Sequence, residues 1–196
     1  IMENDELLGA ASCTTNAIVP TLKVLNDEFD IQSGHIESVH SYTNDQNLID
    51  NFHKKVRRGR SAALNMVITE TGAGKAVGQV LPELQGKLTA NAVRVPTPNV
   101  SLAIINLRFA KDITLEELND FLRQKAFHSD LKEQIGFTNS PEVVSTDFVG
   151  DRHAGIIDSA ATIVNGNKCV LYVWYDNEFG YTAQLLGLAK EMVGLT

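Results

Sequence analysis

Asn165-Gly166 lies between two runs rich in apolar and β-branched residues, Ile156 to Val164 and Cys169 to Trp174. An Asn-Gly pair takes the positive φ angles that a type I′ turn demands, so the two runs should fold back on each other as a hairpin. Further strand-like runs are His35 to Tyr42, Val93 to Pro96, Val100 to Phe109 and Val143 to Phe148, and Pro96-Thr97-Pro98-Asn99 divides the second from the third. Ser33-Gly34 reads as a break before the first strand.

Helical spacing appears elsewhere. Ile18, Leu22, Leu25 and Phe29 recur on one face from Ala17 onward, with Pro20 expected near the helix start and Ser12, Thr14 and Thr15 offering cap oxygens before it. Ala76, Val77, Val80, Leu81 and Leu84 form a second pattern, closed by Pro82 and Gly86. Thr114-Leu115-Glu116-Glu117 is a capping box that opens a third helix with Leu115, Leu118, Phe121 and Leu122. A last helix runs from about Tyr181 to Val193. Hairpin-joined strands with interspersed helices predict an α+β fold, a largely antiparallel mixed sheet with helices packed on one face. The expected organisation is a lead-in over residues 1–10, the main domain over 11–180 and a C-terminal helix over 181–196.

Composition excludes several functions. No run of apolar residues is long enough to span a bilayer, and no basic segment followed by an apolar one marks a secretory signal, so no membrane partner is expected. The net charge of −7 argues against nucleic acid as a general partner. Cys13 and Cys169 are the only cysteines, too few for a disulfide framework or a four-cysteine metal site, and no metal is expected. A reducing, cytoplasmic compartment fits that usage. The chain begins Ile1-Met2, which suggests a cut length.

Three patterns could carry chemistry. Val67-Ile68-Thr69 followed by Gly72-Ala73-Gly74-Lys75-Ala76-Val77-Gly78 has the outline of a dinucleotide fingerprint, but the glycines are misspaced and the ribose-binding acid is missing. Thr71 and Gly72 still precede a helix, where free N–H groups suit one anion; a plain turn fits as well. Cys13 stands at the start of a helix, where the dipole and free N–H groups favour a thiolate, with His40 a candidate partner 27 residues on. Buried filler is the competing reading for such a cysteine. Cys169, between apolar neighbours, reads as inert. Arg94 interrupts the apolar run Ala92 to Pro96, so it must be paired or face a pocket, and a carboxylate or phosphate suits its forked donors. The basic stretch with Lys54, Lys55, Arg57, Arg58 and Arg60 reads as a long functional loop.

Together these blocks resemble phosphorylating glyceraldehyde-3-phosphate dehydrogenases. The resemblance is carried in order by Ser12-Cys13-Thr14-Thr15-Asn16, His40-Ser41-Tyr42-Thr43-Asn44-Asp45-Gln46, Arg57-Arg58-Gly59-Arg60 and Thr71-Gly72-Ala73. Arg94 to Ser101 and Trp174 to Tyr181 complete it. It implies that Cys13 is the nucleophile and His40 the base. Thr43, Asp45 and Arg94 would hold the substrate phosphate. Ser12, Thr14, Thr71, Gly72 and again Arg94 would hold inorganic phosphate, with help from Arg58. Asn177 and Tyr181 would meet the nicotinamide of NAD.

The resemblance also implies a glycolytic or gluconeogenic oxidation of glyceraldehyde 3-phosphate to 1,3-bisphosphoglycerate, a homotetramer, and a Rossmann domain that the present residues lack. The C-terminal helix would pack on that domain, and the chain alone would be inactive. Ala17 replaces a second cysteine common in the family. Ala90-Asn91-Ala92-Val93 departs from the usual run before Arg94, and Glu70 stands where small polar residues are common, a poor neighbour for phosphate unless it points away. Erythrose-4-phosphate dehydrogenase, a thiol acyl-transferase or hydrolase working without NAD, and a non-catalytic assembly module are the alternatives.

Overall fold

The computed structural model describes residues 8–194. The lead-in expected over residues 1–10 therefore lies mostly outside the described residues. Helix α1 spans Cys13–Phe29, and strand β1, Ile31–Ser41, follows at once. After a long loop come β2, Val67–Thr69, helix α2, Ala73–Val80, and β3, Leu88–Val95. Then β4, Ser101–Phe109, leads to α3, Leu115–His128, and β5, Ile135–Thr138. The last elements are β6, Gly155–Asp158, β7, Ile163–Asn165, β8, Lys168–Tyr175, and α4, Phe179–Met192.

Among the described residues the strands form one eight-stranded sheet in the order β2-β3-β1-β4-β8-β6-β5, with β7 also paired to β8. The pairs β1–β3 and β5–β6 are parallel and the others antiparallel. This is the expected α+β mixed sheet. Strict alternation explains its one-sided core. Ala103, Ile105, Leu107 and Phe109 of β4 and Cys169, Leu171, Val173 and Tyr175 of β8 are buried, and they pack with Ile18, Leu22 and Leu25 of α1 and Leu118 and Leu122 of α3. Each such aliphatic side chain contributes about 1.5–3 kcal/mol.

The expected hairpin joins β7 to β8, but its two-residue loop is Gly166-Asn167, closed by the pair Asn165 and Lys168; Gly166 alone of these has a positive φ, +59°, so the turn is not the type I′ turn centred on Asn165-Gly166. Thr114 caps α3, its Oγ1 accepting from the Glu117 N–H at 3.1 Å.

Several local expectations change. Ser33-Gly34 does not break the chain. Strand β1 runs through it past an irregularity between Ile31 and Ser33, and a Cβ on Gly34 would lie 2.6 Å from the Asn106 carbonyl oxygen, so only glycine allows β4 this close. Helix α1 starts at Cys13, so Pro20 lies in its interior. The pattern from Ala76 to Leu84 divides into α2 and a separate 3₁₀ turn at Pro82–Leu84. Strand β3 starts at Leu88, earlier than Val93. Val143 to Phe148 is no strand. Ser145–Phe148 is a 3₁₀ turn, because the Asp147 carboxylate accepts from the Val144 N–H at 2.7 Å and curls the backbone. The run Ile156 to Val164 is interrupted at Ser159–Thr162, where the Asp158 carboxylate and carbonyl capture Ala161 N–H and the Thr162 hydroxyl.

Candidate active site

The parallel register of β1 and β3 sets His40 beside Arg94, although 54 residues separate them. Helix α1 begins against the same strand ends and brings Cys13 Sγ to 3.6 Å from His40 Nε2. Ser12 caps that helix, its Oγ accepting from the Thr15 N–H at 3.1 Å. The hydroxyl of Tyr175, from β8, bridges Thr14 Oγ1 at 3.0 Å and Ser38 Oγ at 2.8 Å. Burial of that phenol pushes its pKa to about 12, so it remains a neutral hydrogen-bonding strut between helix and sheet.

His40 is buried, and its Nδ1 lies 2.7 Å from the Ser41 carbonyl. We assign the Nδ1–H tautomer on that short contact, which leaves the Nε2 lone pair facing the thiol. Arg94 Nη1 is 3.0 Å from the same Nδ1, 3.1 Å from Ser41 O and 3.3 Å from Thr43 Oγ1. With Nδ1 protonated, Nη1 donates to the carbonyl and the hydroxyl, and the guanidinium charge sits beside the ring without neutralisation. Burial first, then Arg94, hold the His40 pKa down at about 4. Burial also pushes the Cys13 thiol up. N–H and hydroxyl groups at the helix start and the Arg94 charge pull it down without offsetting that burial. The expected lowering by the helix N-terminus is thus present but outweighed. Burial thus disfavours the charged form of each side chain.

The remaining expected residues fall around this pair. Thr43 follows β1 and meets Arg94. Asp45 lines a cavity with Tyr42, Thr43 and Glu178. Its carboxylate is bonded to Arg58, which is buried and also donates to Thr69 Oγ1 at 2.9 Å. Asp45 is therefore the counter-charge of a buried cation, and an acceptor-only carboxylate is unsuited to holding phosphate directly. Thr71 Oγ1 accepts from Ala73 N–H at 3.2 Å, and Gly72 is the N-cap of α2. Glu70 is exposed and lines a cavity with Thr71, Thr69, Lys54, Lys55 and Arg58. Asn177 Oδ1 accepts from Ser41 Oγ and Ser101 Oγ, both at 2.8 Å, which fixes the amide and leaves its N–H₂ to donate outward. Tyr181 projects from the first turn of α4, its hydroxyl 3.5 Å from the Ala11 carbonyl.

Residues 12–177 match the family model described as "Glyceraldehyde 3-phosphate dehydrogenase, C-terminal domain". The chain belongs to the glyceraldehyde-3-phosphate dehydrogenase family. It is 65% identical over 192 residues to a glyceraldehyde-3-phosphate dehydrogenase-like protein of Pseudomonas aeruginosa, covering 98% of this chain and 42% of that protein. It is 46% identical over 188 residues to the glyceraldehyde-3-phosphate dehydrogenase of Priestia megaterium, covering 95% of this chain and 56% of that enzyme. A similar match, 46% over 187 residues, joins it to glyceraldehyde-3-phosphate dehydrogenase 1 of Bacillus subtilis, covering 95% and 55%. The chain spans about half the length of the curated relatives it matches.

Sequence reasoning missed four residues that organise this family site. Ser41 and Ser101 fix Asn177, and Tyr175 ties α1 to β1. Asp176 is buried, and its carboxylate accepts from Asn99 Nδ2 and from the N–H groups of Gly150, Glu178 and Phe179. One signal was available. Each is a polar group next to an apolar strand run, where a partner is obligatory. No helix among the described residues is long and apolar enough to cross a membrane.

Proposed function

We propose that this chain supplies the catalytic half of a phosphorylating, NAD-dependent dehydrogenase acting on glyceraldehyde 3-phosphate. The observation that carries the reading is the Cys13 Sγ–His40 Nε2 contact of 3.6 Å, with Arg94 on the other side of the imidazole. On this reading Cys13 gives its proton to His40 Nε2 as Sγ attacks the aldehyde carbon, and the imidazolium then passes that proton to the developing oxyanion, so that a C–S bond and a thiohemiacetal hydroxyl form and His40 is neutral again. N–H groups at the start of α1 are available to the developing oxyanion.

NAD, when bound, supplies the two-electron acceptor that converts the thiohemiacetal to a thioester. The residues present suit that cofactor, since the outward amide N–H₂ of Asn177 is a donor fitted to a carboxamide oxygen. His40 takes the hydroxyl proton in that conversion. Phosphate then attacks the thioester carbon, the C–S bond breaks, and an acyl phosphate leaves with Cys13 restored.

Arg94, Thr43, Ser12, Thr14, Thr71 and Gly72 supply the donors for the two phosphate groups. Asp45 serves by anchoring Arg58. Glycolytic or gluconeogenic carbon flow, a cytoplasmic setting, a homotetramer and a partnering Rossmann domain belong to the same proposal.

Thiohemiacetal formation needs no cofactor, so it tests the reading on this chain. Glyceraldehyde 3-phosphate should protect Cys13 from alkylation by iodoacetamide, and unphosphorylated glyceraldehyde should do so only at much higher concentration. Equal protection by both would remove the phosphate site from the account, and no protection by either would remove the nucleophile.

A further inference from the structure

We propose that Asn16 is a positioning residue for the nucleophile: its amide holds the chain in a left-handed turn at Ala11 and so fixes the first turn of α1, from which Cys13 faces His40. This rests on the reading of Cys13 as the nucleophile. The observation behind it is that Ala11 has φ +56°, a conformation that costs any residue with a Cβ and that an alanine keeps only where its surroundings enforce it. Ala11 is exposed, so its own side chain does not lock the turn.

Asn16 supplies the enforcement. Its Nδ2 donates to Ala10 O at 2.6 Å and to Ser12 O at 3.0 Å, the carbonyls on either side of Ala11. Both partners are carbonyl oxygens, so the N–H₂ end of the amide must face them. The side chain thus clamps Ala11 between its neighbours. The Asn16 main-chain N–H bonds the same Ser12 carbonyl at 2.8 Å, which anchors the clamp to the helix itself. From α4, the Tyr181 hydroxyl reaches Ala11 O at 3.5 Å and supports the turn from outside.

What the clamp fixes is a helix end, where fraying begins. Cys13 is the first residue of α1, and its downstream neighbours are held, Thr14 by Tyr175 and the Thr15 N–H by Ser12 Oγ. Upstream, Asn16 does the holding. With both sides fixed, Sγ stays 3.6 Å from His40 Nε2. The Cys13 and Thr14 N–H groups, which have no acceptor within the helix, also keep their place for a developing oxyanion. If Ala11 relaxes, Ser12 swings away and the nucleophile and these donors move with it. Thr43 and Arg94, the proposed holders of the substrate phosphate, meet each other on other elements. The turn therefore acts on the covalent step and not on phosphate capture.

The test measures two dissociation constants on the purified chain. That of glyceraldehyde 3-phosphate comes from its protection of Cys13 against iodoacetamide. That of glycerol 3-phosphate, which carries the phosphate but no aldehyde, comes from calorimetry. In Asn16→Ala the aldehyde should bind about tenfold more weakly, with glycerol 3-phosphate within about twofold of wild type. Ala11→Gly takes a positive φ without cost, so alone it should leave both constants unchanged, and combined with Asn16→Ala it should regain about fivefold of the lost affinity. Ala11→Val, with Asn16 intact, should weaken aldehyde binding about fivefold, because a β-branched residue resists this φ. An equal loss for both ligands in Asn16→Ala, or no recovery on adding Ala11→Gly, would make Asn16 a general support of the fold and overturn the inference. If the wild type binds glycerol 3-phosphate but the aldehyde gives Cys13 no added protection, the reading of Cys13 fails and the inference falls with it. Should Asn16→Ala not fold, equal aldehyde constants in wild type and Ala11→Val overturn the inference by themselves.

Discussion

Replacing His40 by glutamine should make the protein less sensitive to acid, because a buried imidazole held neutral is a pH-dependent cost. The folded pKa is about 4, and the unfolded value is about 6.5. Between these values the unfolded chain binds more protons than the folded one. The stabilising contribution is therefore complete above about pH 6.5, shrinks as pH falls toward 4, and is gone below that.

At pH 5 an unfolded His40 is almost fully protonated and a folded one about nine-tenths neutral. The population ratio favours unfolding by about 30-fold, or about 2 kcal/mol, against a few tenths at pH 7. Carboxylates and the Asp151–His153 pair also respond to acid. The hydrogen bond that Asp151 accepts from the His153 ring raises the His153 pKa, so that group stabilises when protonated, but wild type and variant share these effects. The assay is urea unfolding at pH 7 and pH 5 in phosphate-free buffer. The wild type should lose about 2 kcal/mol more than His40→Gln over that interval. Equal losses would show that His40 titrates normally, and the electrostatic picture of the site would be wrong.

Two further substitutions test how the site is held. Asp176→Ala strips the acceptor from four donors around a buried carboxylate, and urea unfolding should record a loss on the order of 3 kcal/mol; a change below ~1 kcal/mol would mean that water replaces the carboxylate at no cost. Gly155→Ala puts a Cβ 2.6 Å from the Ala17 carbonyl oxygen and 2.7 Å from Val173 Cγ1, so the unfolding midpoint should fall by the equivalent of about 1–3 kcal/mol, and an unchanged midpoint would contradict the tight fit of α1 on β6.

The fold class was legible because its signals are local. Asn165-Gly166 demands a hairpin, Thr114 with Glu117 marks a helix start, and β4 and β8 alternate cleanly. What failed was also local, but came from competing hydrogen bonds. Asp147 and Asp158 each bind nearby backbone and turn stretches of strand-like composition. Strand β5 is only Ile135–Thr138, with a glycine inside, and no periodicity can develop over that length.

At the site, Cys13, His40 and Arg94 stood out by residue type and by resemblance. The pairing of Cys13 with His40 was expected, but the contact of His40 with Arg94 was not, because it depends on the parallel register of β1 with β3. The direction of the Cys13 shift was read wrongly from the helix start alone, since burial depth is a property of the packed fold. The pairing of Asp45 with Arg58 was not legible for the same reason: Arg58 is a loop residue whose burial the sequence does not announce.

Acyl transfer to Cys13 is the most direct trial of the central claim, and it needs neither NAD nor a second domain. The purified chain is incubated with the acyl phosphate of 3-phosphoglycerate and followed by intact mass and peptide mapping. The thiolate should attack the acyl carbon, the bond to the phosphate oxygen should break, and inorganic phosphate should leave. The account predicts one hydroxylamine-labile acyl group on Cys13, absent in Cys13→Ser and formed much more slowly in His40→Asn. Cys169, buried and pushed up to about 12, should remain free. Acylation of both cysteines at similar rates, or none at Cys13, would contradict it.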